Sequence, residues 1–156
     1  MTDAMPEEIP VDNDEDLFRQ VPNVGSHFAH VEGRLRLSTS AFNDSAFKPS
    51  VDRARLNGND PKRTQKKPSD GVVKLIAQEV RSIAGVVKYE VDGREQTKFK
   101  IDVIPDPIEP QDGGCGNPAH ALIVADPSIG TQGMFKKLKE SLARLAEAHG
   151  WIIEPS

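Results

Sequence analysis

The stretch from Ala121 to Ile153 constrains the fold more than any other part of the chain. "ALIVAD" (121–126) is a continuous apolar run of the kind found in a strand buried on both faces. After the connection "PSIGTQG", the segment "MFKKLKESLARLAEAHG" places Phe135, Leu138, Leu142 and Leu145 at spacings of three and four, the pattern of an amphipathic helix. Gly150 stands where a helix would close, and "WIIEP" reads as a final short strand. A strand, a helix and a strand in such close succession predict a βαβ unit, right-handed if its strands are parallel. A helix with one apolar stripe needs a sheet to cover. The expected class is therefore α/β (mixed α+β): one domain, with a mixed sheet of about five strands and two main helices.

The upstream sequence supplies the other elements. In "HFAHVEGRLRLSTSAF", Val31, Leu35 and Leu37 alternate with Glu32, Arg34 and Arg36, which predicts a strand with one buried and one cationic face. The hydroxyls of "STS" at 38–40 can cap a turn or a short helix. In "GVVKLIAQEVRSIAG", Val72, Leu75, Ile76, Val80 and Ile83 recur at helical spacing, so a helix is expected between a cap at Ser69 or Asp70 and Gly85. "VVKYEVDGREQTKFKIDVIPDP" reads as a hairpin. A three-residue turn with Gly93 left-handed would set Glu90 opposite Arg94 and keep the apolar residues on one face.

Charge divides the chain. Seven acidic and no basic residues occupy the first sixteen positions, which leaves residues 17–156 at net +3 against −4 for the whole chain. A like-charged segment interrupted by proline buries too little to offset its ordering entropy, so residues 1–16 are expected to be a disordered acidic tail on a single domain spanning 17–156. Residues 57–69 contain Asn-Gly, two prolines and the cations Lys62, Arg63, Lys66 and Lys67, and read as a flexible basic loop. No apolar run approaches the length of a membrane helix, the N-terminus is acidic, and the single cysteine, Cys115, forms no intrachain disulfide. A cytoplasmic protein with no membrane association is expected.

Several constellations bear on chemistry. Cys115 and His120 lie close together in "GGCGNPAH", but the glycines and Asn117-Pro118 make a turn into the strand, and none of the sequence contexts of catalytic cysteines is present. His27 and His30 alone do not make a metal site, so no metal is expected. "DPSIGTQGMFKK" offers a glycine loop before a helix, yet a plain connection capped by Ser128 or Thr131 accounts for it. The richer grouping is Arg34 and Arg36 on one strand face, Ser38 and Ser40 after it, and "SVDR" with Ser50, Asp52 and Arg53. Guanidinium forks beside hydroxyls suit phosphate or carboxylate. Arg34, Arg36, Ser38, Ser40 and Arg53 are thus candidate ligand-binding residues, with Asp52 and His120 as candidate catalytic groups.

An arginine on an early strand followed by Ser-Thr-Ser resembles the Arg-Ser-Glu class of ADP-ribosyltransferases over some twenty residues. The resemblance implies NAD held by Arg19 or Arg34 together with Ser38. This sequence contains no Glu-x-Glu or Gln-x-Glu, so the catalytic glutamate of that class has no counterpart. The leading expectation is a small binding module for a protein partner or an anionic ligand, its cofactor unknown. The alternative is a small nucleotide- or NAD-using enzyme with Arg34, Ser38, Asp52 and His120 around one pocket. Nucleic acid is a weaker candidate partner, through Lys62, Arg63, Lys66 and Lys67, because the body is only mildly basic and shows no stacking signature.

Overall fold

The computed structural model describes residues 8–156, which form one mixed α+β domain. Ten strands and two α-helices follow in the order β1 (Asp16–Val21), β2 (Phe28–Val31), β3 (Arg34–Leu37), β4 (Ser50–Arg53), β5 (Gly71–Ile76), α1 (Ala77–Arg81), β6 (Val87–Tyr89), β7 (Glu95–Lys98), β8 (Lys100–Pro105), β9 (His120–Asp126), α2 (Gln132–His149) and β10 (Trp151–Ile153). Short 3-10 turns at Thr39–Phe42, Ala54–Asn57 and Pro61–Arg63 fill the connections. The main sheet has six strands in the order β10-β5-β1-β4-β9-β8, and every neighbouring pair is antiparallel. The expected mixed sheet is therefore antiparallel throughout. β9 and β10 do run in the same direction, as a strand–helix–strand unit requires, but β4, β1 and β5 lie between them, so α2 spans the sheet.

Pleating sorts the residues onto two faces. Leu17, Val21, Val51, Val73, Leu75, Ile101, Val103, Ala121 and Ile123 point to the face covered by α2, whose Phe135, Leu138, Leu142, Ala143 and Ala146 complete the main core. Alternate positions face the other way. There Phe18, Val72 and Ala54 form a small second cluster with Ile153 against it.

Three expected elements differ from those observed. The helix expected from residue 70 to Gly85 is a strand, β5, followed by the short helix α1. Val72 packs into the second cluster while Val73 and Leu75 pack into the main core, and a strand buried on both faces shows a run of apolar residues that can also fit helical spacing. The single strand expected across residues 31–37 is a hairpin, β2–β3, that turns at Glu32 (φ 52°) and Gly33 (φ 76°). Positive φ at both turn residues matches the right-handed twist of the flanking strands. The acidic segment is folded from Val11 onward: Val11 is buried, and Glu15 is 1% exposed and paired with Arg53. Arg55 also holds Asp12 and Asp14. Basic partners on the body thus compensate what the segment lacks in apolar surface. Residues 1–7 of the expected tail lie outside the described residues.

The β6–β7 turn forms as its sequence predicts, with the Glu90 N–H donating to the Arg94 carbonyl and Gly93 at φ 90°. The expected register does not continue, because a bulge between Lys88 and Tyr89 sets Val87 opposite Lys98 and Lys88 opposite Thr97. The expected second strand breaks at Phe99, its remainder joining the main sheet as β8. Among the described residues no helix is long and apolar enough to cross a membrane.

β10 sits close against β5. A Cβ built on Gly71 would lie 2.7 Å from Trp151 Cζ3 and 2.9 Å from Pro155 Cδ. Gly71→Ala is expected to destabilise the fold by about 1–3 kcal/mol, the usual effect of overpacking, with the loss read in urea unfolding and in altered tryptophan fluorescence.

Candidate functional site

The β1–β4 ladder is short. Only Leu17↔Arg53 and Phe18↔Asp52 pair, whereas β1 continues along β5 as far as Val21↔Gly71. Beyond Asp52 the two strands part, and a cavity of about 290 Å³ opens there. Phe18, Gln20, Ser50, Asp52 and His120 line it from the sheet. Arg63, Thr64, Gln65 and Lys66 border it from the 57–69 segment, and Ile108 and Asn117 from the loop before β9. It belongs to the sheet face that α2 leaves free. One row of cross-strand partners, Lys74, Phe18, Asp52 and His120, runs across that face.

Arg19 holds the parted strands in place. Its Nη1 donates to the Ser50 carbonyl at 2.8 Å and contacts Ser50 Oγ at 3.3 Å. Its Nε donates to the Ala41 carbonyl at 3.0 Å, and its Nη2 to the Asn43 carbonyl at 3.2 Å. Burial lowers the guanidinium pKa to about 10, against a smaller opposing effect of Asp44, so the group stays charged at neutral pH. Arg19 borders the cavity, but its donors are taken up by the backbone.

Asp52 organises the walls. Its Oδ1 accepts from Asn117 Nδ2 at 2.9 Å, and its Oδ2 from the Thr64 hydroxyl at 2.9 Å and Asn57 Nδ2 at 3.4 Å. One carboxylate thereby ties the loop before β9 and the 57–69 segment to β4. That segment is not a free loop: it carries a 3-10 turn capped by Asp60, and Asn57 and Thr64 are buried. His120, directly across from Asp52, has Nδ1 at 2.9 Å from the Asp106 carbonyl and 3.2 Å from Asp106 Oδ2. With Nδ1 engaged there, Nε2 is the ring nitrogen left for a ligand.

A second carboxylate fixes the cationic wall. Asp70, 2% exposed, accepts at Oδ2 from Gln20 Nε2 at 2.7 Å and from the Lys66 and Lys67 N–H groups at 3.0 and 2.9 Å. Burial raises its pKa, but these bonds together outweigh burial and bring it below the ordinary 3.8. A carboxyl depressed on folding contributes stability that is complete above its unfolded value and lost as pH falls through its folded value. Stability should therefore decline below about pH 4. Asp70→Asn should cost about 1–3 kcal/mol at pH 7 and flatten that acid decline, as read by urea unfolding from pH 7 to 2.5.

The sequence candidates divide. Asp52 and His120 meet in the cavity, but Arg34, Arg36, Ser38, Ser40 and Arg53 do not line it. Arg34 lies exposed on the separate β2–β3 ribbon. Arg36 bonds Glu147 of α2 at 3.1 Å. Ser38 Oγ caps the 39–42 turn by accepting from the Ser40 N–H at 3.2 Å. Arg53, 2% exposed, points to the α2 face and is held by Glu15 through two 2.8 Å bonds. The pocket expected around Arg34, Ser38, Asp52 and His120 does not form as such. Thr131 caps α2 by accepting from the Met134 N–H, Cys115 is exposed on its loop, and among the described residues no three His, Cys, Asp or Glu side chains gather as metal ligands. The chain matches no family model, no curated protein and no solved structure.

Gln20, Asn117, Thr64, Arg63 and Lys66 are the cleft residues that sequence reasoning placed elsewhere or passed over. Strand alternation carried part of the signal, since it sets Arg53 on the opposite face from Ser50 and Asp52.

Proposed function

We propose that the protein is a small cytoplasmic binding module whose ligand is anionic and sits in the cleft between β1 and β4. The observation that carries this reading is the charge state of the cleft wall. Arg63 and Lys66 border it exposed and with no ion-pair partner among the described residues, while the neighbouring carboxylates Asp52 and Asp70 each accept three hydrogen bonds. Two cations without ion-pair partners, on a wall whose nearby carboxylate oxygens are already taken by hydrogen bonds, favour an incoming anion, and Asn117 and His120 add polar contacts. Titration with inorganic phosphate, followed by calorimetry and thermal unfolding, tests it. Phosphate at about 100 times its dissociation constant should add about 2.7 kcal/mol of stability. The paired Arg63→Ala and Lys66→Ala changes should weaken binding about tenfold or more. An absence of binding, or binding that survives both changes, would overturn the reading.

One observation favours an enzymatic alternative at the same site. Asp106 engages His120 Nδ1 in the manner of a group that orients a general base, leaving Nε2 to move a proton. If the cleft is catalytic, His120→Asn should retain ligand affinity and abolish turnover. Loss of affinity with no turnover to lose would leave the binding module alone.

A further inference from the structure

A second cavity, of about 310 Å³, lies beside the cleft, and Gln20 and Lys66 line both. Its other borders are Pro22, Asn23, Val24, Lys67, Ser69 and Asp70. The two adjoin at Gln20 and Lys66 and are taken together as one groove, with Arg63 bordering the first part, Lys66 both and Lys67 the second. All three cations are exposed, and none has a carboxylate partner among the described residues. The backbone of Lys66 and Lys67 is held by Asp70, which accepts both N–H groups, and the Arg63 N–H donates to the Asp60 carbonyl, so the three positive side chains come from backbone fixed by hydrogen bonds.

Resting on the anion-binding reading of the cleft, we propose that the natural ligand carries a chain of linked phosphates that runs past Lys66 from the Arg63 side to the Lys67 side. A single anion would use one end of this groove; a di- or triphosphate chain spans the junction and meets all three cations. Phe18, Val51 and Ile108 are the apolar residues of the first cavity and Pro22 and Val24 those of the second, while the shared residues, Gln20 and Lys66, are polar. The carboxylates that line the cavities, Asp52 and Asp70, each already accept three hydrogen bonds. Phe18, the one Phe, Tyr or Trp lining either cavity, is only 6% exposed, so it offers no stacking platform of the kind that holds single-stranded nucleic acid.

The test compares inorganic phosphate, tripolyphosphate and ATP by calorimetry in metal-free buffer. Tripolyphosphate is expected to bind about tenfold tighter than phosphate. Lys67→Ala should bring the ratio of the two affinities down about threefold to fivefold, whereas Lys62→Ala, which removes a cation of the same run that lines neither cavity, should leave that ratio alone. ATP binding tighter than tripolyphosphate would identify a nucleotide as the source of the chain, and equal binding an inorganic one. Phosphate binding with no gain for tripolyphosphate would overturn the proposal while the cleft reading stands. Equal effects of Lys62→Ala and Lys67→Ala would also overturn it, because general charge would then account for the gain. Failure of phosphate itself to bind would instead remove the cleft reading.

Discussion

Arg53→Met will lower the stability of the protein by about 3–5 kcal/mol, or roughly 10 °C in melting temperature, without touching the cleft. Arg53 and Glu15 are both fully enclosed, and the guanidinium donates from Nε and Nη2 to the two oxygens of the carboxylate while Nη1 reaches the Ile9 carbonyl. Removing the cation strips the buried carboxylate of its two-point partner and leaves it the Asp12 N–H and the more distant Arg55 Nε at 3.6 Å. That loss exceeds the net worth of the pair itself, because much of what holds a buried pair is the cost of stranding either half. Two measurements check it: urea unfolding for the stability, and proteolysis for release of residues 9–15, which should become cleavable. A double replacement, Arg53→Met with Glu15→Leu, should recover much of the loss, since apolar side chains of similar size are often as stable as a buried pair. A single variant no less stable than the parent would show that the acidic segment is not held by this contact.

Arg19→Met should cost about 3 kcal/mol and should also damage ligand binding. The guanidinium donates to the carbonyls of Ala41, Asn43 and Ser50, so its removal leaves three acceptors short of a donor at the point where β1 and β4 part. Arg19→Lys keeps the charge but loses the fork, and one ammonium cannot reach three divergent carbonyls as a planar guanidinium does. It should fall between the parent and Arg19→Met in stability. Phosphate affinity is the informative companion measurement: a change in both stability and affinity marks Arg19 as the residue that sets the width of the cleft, whereas a change in stability alone would confine it to the core.

The parts of the fold that were legible in the sequence are those governed by local chemistry. Phe135, Leu138 and Leu142 announced α2 through spacing alone, and they are buried as the spacing requires. "VDGRE" announced its turn through Asp-Gly and the left-handed glycine, but not the register beyond it, which a bulge between Lys88 and Tyr89 shifts by one residue. β5 is not distinguishable from a helix by periodicity, because a strand covered on both faces loses its alternation, and Val72, Leu75 and Ile76 then fit either period. The β2–β3 turn at Glu32–Gly33 was concealed by an alternation that continued through it.

The candidate site was legible by halves. Asp52 and His120 were visible as polar residues on strand segments, and Lys62, Arg63, Lys66 and Lys67 as a basic run. That the two groups face each other could not be read from spacing, because the contact joins β4 to β9 and to a segment folded back by Asp52 and Asp70. Arg53 shows the opposite case. Its type and its place beside Asp52 pointed to a ligand, yet one step along a strand turned it to the other face and onto Glu15.

The sequence by itself determined the elements that depend on neighbours a few residues apart: the long helix, the hairpin turn and the single mixed domain; of the hydroxyls it offered as caps, the structure chose Ser38 and Thr131. Only the tertiary structure decided which charges are free to bind and which are consumed. Seven acidic residues at the start and a net positive body are equally compatible with a loose tail and with a folded strap; the Glu15–Arg53 contact selects the second from Val11 onward. The reason is physical. Periodicity reports local backbone geometry, but the availability of a cation depends on which carboxylate or carbonyl lies within hydrogen-bond reach after the chain has folded, and for Arg19, Arg53 and Lys66 that partner, or its absence, is a property of distant segments brought together.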